Sequence, residues 1–155
     1  MKITLLVIGK TNEKYLEAGI DIFQKRLKHY TNFENITLAD VKGVTDSKLL
    51  IEKEGEQFLK QIKDDDFLIL CDERGQMITS TELSELFSKK MSESRKRVLI
   101  LVGGAFGVSN DVRKRADFIL SFSKFTFSHQ MIRLFITEQV YRAFTILKNE
   151  KYHNE

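Results

Sequence analysis

The sequence predicts an α/β protein: a mostly parallel sheet with helices on both faces. Three observations carry this. Short runs that are apolar throughout recur from one end of the chain to the other, the pattern of strands buried on both sides. Stretches with helical spacing of apolar residues separate them, as the crossovers of a parallel sheet require. No proline, repeat or low-complexity stretch divides the series.

Taken in order, residues 3–9 (Ile-Thr-Leu-Leu-Val-Ile-Gly) form the first strand, and Leu16, Ile20, Phe23 and Leu27 then share one helical face. Residues 36–38 make a weaker second strand. A helix follows over about 46–62, with Ile51, Phe58, Leu59 and Ile62 inward. Gly55 lies on that inward face, where glycine costs about 1 kcal/mol of helix propensity relative to alanine, so close backbone packing is the expected compensation. Residues 67–71 (Phe-Leu-Ile-Leu-Cys) are the third strand, ending in a turn at Asp72-Glu-Arg-Gly75. Thr79 with Glu82 three residues on reads as a capping box, opening a helix that runs to about Met91. Residues 98–102 are the fourth strand, 109–115 a short helix, 118–121 the fifth strand, and about 129–149 the last helix.

The 155 residues suit a single domain spanning 1–155 that buries roughly 68–70% of its unfolded surface, with no need of a disulfide or metal staple. The lone Cys71 leaves no disulfide framework and no paired metal ligands, which fits a reducing cytoplasm. The opening apolar run is too short for a signal segment or a membrane span of about 20 residues, so a soluble, cytoplasmic protein without membrane contact is expected.

Net charge is +3, unevenly placed: residues 1–85 carry 12 Lys/Arg against 16 Asp/Glu, and residues 86–155 carry 13 against 6. Clusters at Arg95-Lys96-Arg97 and Arg113-Lys114-Arg115, joined by Lys124, Arg133 and Arg142, either neutralise nucleic-acid phosphates or form a solvated face.

Ligands of such sheets bind beyond the carboxyl ends of the strands, where this chain places Gly75, the Gly103-Gly104 pair and the loop 121–128. Gly103-Gly-Ala-Phe-Gly107 is neither a dinucleotide fingerprint nor a P-loop. It is a tight turn, or a place where backbone approaches a flat ligand. The run 120–134 compresses a strand end, an aromatic loop and a helix start, with His129 and Arg133 one turn apart. Phe122, Phe125 and Phe127 there either alternate into a core or face a ligand. His129 is either a polar helix start or a functional group, and Arg142, four residues from Glu138, reads as a surface ion pair outside a site.

The ordered series Leu70-Cys71-Asp-x-x-Gly, Val102-Gly-Gly-x-x-Gly107, Leu120-Ser-x-x-x-x-Thr126-Phe-x-His129-Gln-x-x-Arg133, Glu138-Gln-Val-Tyr-Arg-Ala143 and Tyr152-His153 resembles the ribosomal RNA large subunit methyltransferase H family. The likeness extends to the opening residues and to Lys53-Glu-Gly-Glu56, and so covers essentially the full chain. It implies a SPOUT-type α/β fold with a C-terminal trefoil knot, against the general rule that chains do not thread. It further implies a homodimer that uses S-adenosylmethionine, without a metal, to methylate N3 of a pseudouridine of 23S rRNA in the 70S ribosome.

By the same resemblance the methyl donor lies against Leu70, Cys71, Gly103, Gly104, Phe122, Ser123, Lys124, Phe125, Thr126 and Phe127, with Leu70, Phe122 and Phe125 sandwiching its adenine. His129 positions the substrate or removes its proton, Arg133 and Arg142 stabilise negative charge or grip phosphate, and Tyr152 and His153 bring an ordered tail to the site. Two positions depart from the family pattern. Ser128 stands where proline is usual and can cap the last helix by accepting from the Met131 N–H. Asn154 stands where a basic residue often follows, which puts any RNA contact there in doubt.

Two other functions fit the residues less well. A ribosome-binding protein that has lost methyl transfer would not need an intact glycine loop. A hydrolase pairing a serine of the loop with His129 would want a nucleophile elbow, and none is present.

Overall fold

The apolar runs assemble into one five-stranded sheet, parallel at every pairing, in the order β2-β1-β4-β3-β5. A computed structural model of the chain describes residues 1–153. Its elements are β1 (Lys2–Ile8), α1 (Lys14–Leu27), β2 (Asn32–Leu38), α2 (Ser47–Leu59), β3 (Phe67–Met77), α3 (Ser80–Ser92), β4 (Arg97–Val102), α4 (Asn110–Arg115), β5 (Phe118–Ser121) and α5 (His129–Leu147).

Because successive side chains of a strand point to opposite faces, each apolar strand feeds two core layers. Ile3, Leu5, Val7, Ile69 and Ile100 pack under α1, α3 and α5, while Leu6, Leu68, Leu70, Leu99 and Leu101 pack under α2 and α4 through Phe58 and Val112. Connections that step toward β2 use helices of the first layer and those that step toward β5 use the second, so all four crossovers share one hand, as a regular parallel sheet demands.

The local signals hold where they rest on capping and packing. Thr79 and Glu82 make the reciprocal capping box, and Ser128 accepts from the Met131 N–H at 3.1 Å. A Cβ built on Gly55 would lie 2.8 Å from Cβ of Ser109, so the glycine lets α2 approach the N-cap of α4. Two elements differ from expectation. β2 begins at Asn32 because its whole length pairs with β1, and its polar first half shows no periodicity, being a sheet edge. The turn expected at residues 72–75 is instead an excursion inside β3: Cys71 and Gln76 both oppose Leu120, and the strand resumes to Met77. Backbone of Ile119 lies 2.6 Å from where a Gly75 side chain would begin, so only glycine admits this return.

Part of each basic cluster is consumed in holding the chain together. The buried Asp66 carboxylate receives Arg97 Nε at 2.7 Å and the Lys63 N–H at 2.7 Å, and Arg115 donates to the carbonyl oxygens of Lys63 and Asp66. These groups gather at the amino ends of the strands, opposite the glycine loop, while Arg95, Lys96 and Lys114 of the same clusters stay exposed. Burial alone would raise the Asp66 carboxyl, but the hydrogen bonds from Arg97 and Lys63 and the charges of Arg97 and Arg115 outweigh it and hold it below the ordinary aspartate range. A carboxyl depressed on folding contributes stability above its unfolded value and loses it as pH falls through the folded one. Urea midpoints should therefore drop on acidification below the ordinary aspartate range, and Asp66→Asn should flatten that drop while lowering stability at neutral pH.

Candidate active site

At the carboxyl ends of β3, β4 and β5 the sheet opens into a cleft of about 580 Å³, within the range of small-molecule sites. Cys71, Val102 and Leu120, the last inward residues of three adjacent strands, are among its lining. One wall is the glycine loop 103–107, closed by Gly107 N–H donating to the Gly104 carbonyl at 3.1 Å. A side chain at Gly103 would meet Val108 at 2.7 Å and the Gly107 carbonyl at 2.8 Å, so the loop folds tightly on itself and keeps this wall bare.

The facing wall is the loop 122–128. Ser121 Oγ donates to the Ser123 carbonyl at 3.0 Å, and Ser123 Oγ accepts from the Phe125 N–H at 3.0 Å, which curls the loop. Thr126 Oγ1 donates to Glu73 at 3.0 Å and ties the loop to the β3 excursion. Arg113 reaches Asp72 at 2.6 Å from α4. Asp72 and Glu73 thus bring carboxylates to the cleft from a stretch whose sequence predicts only a turn. The Asp-x-x-Gly pattern at a strand end was the available signal.

Of the expected donor-binding residues, Cys71, Gly103, Gly104, Phe122, Ser123, Thr126 and Phe127 line the cleft. Leu70 does not. Its side chain is fully buried in the layer beneath α2 and α4, on the opposite face from Cys71, so a place for Leu70 at the donor belongs to its position at the strand end beside Cys71 and is kept as part of the proposal. Lys124 and Phe125 stand outside the cleft lining, with Phe125 78% exposed.

His129, the first residue of α5, lines the cleft. Burial and the neighbouring Arg133 charge push its imidazole below the ordinary histidine value, with Asp40 opposing, so the neutral ring is the resting form near pH 7. Arg133 itself is 1% exposed. Its guanidinium donates to the carbonyl oxygens of Ile8 at 2.6 Å and Gly9 at 2.8 Å and to Thr11 Oγ1 at 3.2 Å. Both terminal nitrogens thus clasp the start of α5 to the end of β1, while Nε is buried without a partner, and a guanidinium so enclosed is not presented to a phosphate in this structure.

Arg142 takes the ion-pair geometry, donating to Glu138 at 2.6 Å. Tyr152 donates to the same carboxylate at 3.0 Å and stacks edge-on against Tyr141, while His153 Nδ1 lies 3.4 Å from Arg142. The tail is thereby held on α5, but Arg142 is 13 residues from His129, about 20 Å along a helix. Asn154 lies outside the described residues. The structure therefore brings His129 to the cleft and assembles Arg142, Tyr152 and His153 into a separate polar group.

A family model described as predicted SPOUT methyltransferase matches residues 1–153. The ribosomal RNA large subunit methyltransferase H of Christiangramia forsetii is 49% identical, over 99% of this chain and 99% of that one. The chain belongs to the ribosomal RNA large subunit methyltransferase H family. The proteins of that description from Parabacteroides distasonis and Cytophaga hutchinsonii are 47% and 45% identical, over 99% or more of both chains. A solved structure of a probable methylase family protein from Haemophilus influenzae shares the fold at a TM-score of 0.57 and 14% identity, covering 99% of this chain and 70% of that one. For this family member, the SPOUT-type sheet expected from the sequence is the observed one.

Proposed function

We propose that the chain transfers a methyl group from S-adenosylmethionine to N3 of a pseudouridine of 23S rRNA in the assembled 70S ribosome, acting as a cytoplasmic homodimer. The observation that carries this is a single cleft walled by the bare Gly103-Gly104 backbone on one side and by Phe122, Phe127 and His129 on the other. The family relationship supplies the reaction class.

The residues present fit the donor. Phe122, Phe127 and Ile132 give apolar faces for a purine, the loop backbones give hydrogen-bonding edges, and Glu73, which no cation pairs among the described residues, gives a carboxylate for a cationic ligand. When bound, the donor supplies an activated methyl on a sulfonium, so neither a metal nor a covalent enzyme intermediate is called for. The chain's own work is to exclude water, to hold the target imide in line, and to stabilise the anion that develops as its proton leaves. In this reading His129, which lines the cleft, acts on the target base, and Arg133 supports it through the helix start.

Arg142, Tyr152 and His153 join the account through a second copy, since about 20 Å of helix separates them from their own His129. An apolar groove lined by Ile78, Leu83, Phe122, Phe127 and Phe135 adjoins the cleft and supports subunit contact beside the site. In this arrangement Tyr152, whose phenol is pushed up by burial and by its bond to Glu138, stays protonated. The C-terminal trefoil knot belongs to the same proposal, supported by the proximity of the loops 103–107 and 122–128.

Calorimetric titration with S-adenosylmethionine tests the site. Saturable binding that Gly103→Val abolishes in a folded protein is expected, because the added side chain meets Val108 and Gly107. Unchanged binding in that variant would move the donor elsewhere.

A further inference from the structure

Between β1 and α1, the loop of residues 9–13 meets the start of α5 through two hydrogen bonds to the Gln130 side-chain amide, each with a backbone group as partner. The Asn12 backbone N–H lies 3.1 Å from Gln130 Oε1, and Gln130 Nε2 lies 3.1 Å from the Lys10 carbonyl oxygen. A backbone N–H only donates and a carbonyl only accepts, so the two backbone groups fix which end of the Gln130 amide is oxygen and which is nitrogen. The second N–H of that amide then faces Nε2 of His129 at 3.3 Å. An amide N–H cannot accept, so Nε2 has to present its lone pair.

We propose that Gln130 is a positioning residue that holds His129 in the tautomer with its proton on Nδ1, so that the imidazole offers the substrate a hydrogen-bond donor and not a general base. In a neutral imidazole with Nε2 bare, the proton sits on Nδ1. Nδ1 makes no hydrogen bond among the described residues, and it is not among the buried polar atoms lacking a partner, so it is open on a side chain that lines the cleft. Arg133 is the cation nearest the ring on α5, and Asp40, from the segment after β2, is the anion facing it. Both surround a ring that is neutral at rest.

The proposal rests on the methyltransferase reading of the cleft and adds a division of labour to it. The N3–C bond forms as the sulfur–methyl bond breaks, the donor leaves as a neutral thioether, and the N3 proton passes to water. Negative charge spreads onto the carbonyl oxygens of the imide as that proton leaves. A donor fixed at one of those oxygens stabilises this charge without reorganising, whereas a base would need a free lone pair on the side facing the substrate.

Nitrogen-15 spectroscopy of the free protein reads the tautomer without any methyl transfer. At neutral pH a pyrrole-like Nδ1 and a pyridine-like Nε2 are expected for His129, and a pyridine-like Nδ1 would overturn the proposal. Gln130→Glu, whose carboxylate only accepts, should shift the proton to Nε2. Should that variant fail to fold, Gln130→Met is expected to give a tautomer mixture, and an unchanged pure Nδ1–H form would show that Gln130 does not set it. With ribosomes as substrate, His129→Asn, whose amide N–H falls near the position of Nδ1, should lose about tenfold in kcat where His129→Ala loses about 10²–10³-fold. Equal losses would sink the donor role. If Nδ1 carries the proton but no transfer occurs with any variant or the parent protein, the methyltransferase reading fails and the tautomer assignment stands.

Discussion

His129→Ala is expected to bind S-adenosylmethionine as tightly as the parent protein and to methylate about 10²–10³-fold more slowly. The imidazole lies at the start of α5, on the cleft wall that faces the glycine loop, and none of the donor contacts expected from the family rests on it. Its loss removes an interaction realised as charge develops on the target base, which lowers kcat and kcat/KM together. The measurement pairs calorimetry with single-turnover transfer. A variant that loses affinity and rate in equal proportion would place His129 among the donor contacts instead.

Arg133→Met should cost about 3–5 kcal/mol of folding stability, seen as a lower urea midpoint, with activity falling as a consequence. The guanidinium is buried and satisfies the Ile8 and Gly9 carbonyl oxygens. Leaving two buried acceptors unpaired costs about 1–3 kcal/mol each, and the void left by the trimmed side chain adds to this. The opposite pattern, full stability with a large rise in KM for ribosomes, would restore the phosphate-gripping role that the sequence suggested. Arg133 carries a lowered guanidinium pKa from burial, opposed by Asp40, but keeps its charge at any ordinary pH. The clasp is therefore insensitive to acid in a way that the Asp66–Arg97 pair is not.

The residues that made the fold legible are those whose signals are local. Ser128, Thr79 and Asp46 each cap the helix that the pattern begins there, and Phe67 to Cys71 read as a strand because both faces are covered. β2 was legible only at Ile36-Thr-Leu38, since a polar edge strand owes its first residues to backbone pairing with β1. The excursion at Asp72–Gly75 is set by β5, which lies far along the chain and brings Ile119 against Gly75.

The site divides in the same way. Gly103, Gly104 and His129 could be found because glycines after a strand and a histidine at a helix start have few local uses. Leu70 and Cys71 looked equivalent in sequence, yet the pleat sends one into the core and the other to the cleft. Arg133 was indistinguishable from a substrate-binding arginine, because only the fold brings the Ile8 and Gly9 carbonyl oxygens to it across more than 120 residues. Gln130 stood in the sequence only as one position of the His129-Gln-x-x-Arg133 pattern, with no role attached to it. Its importance comes from two backbone groups of the loop between β1 and α1.

Tritium-methyl transfer from labelled S-adenosylmethionine to 70S ribosomes that lack the modification, followed by mapping of the labelled nucleotide, bears most directly on the account. Label entering 23S rRNA at N3 of a single pseudouridine, dependent on His129, is the expected result. Folded, donor-binding protein that puts no label into large-subunit rRNA would contradict it.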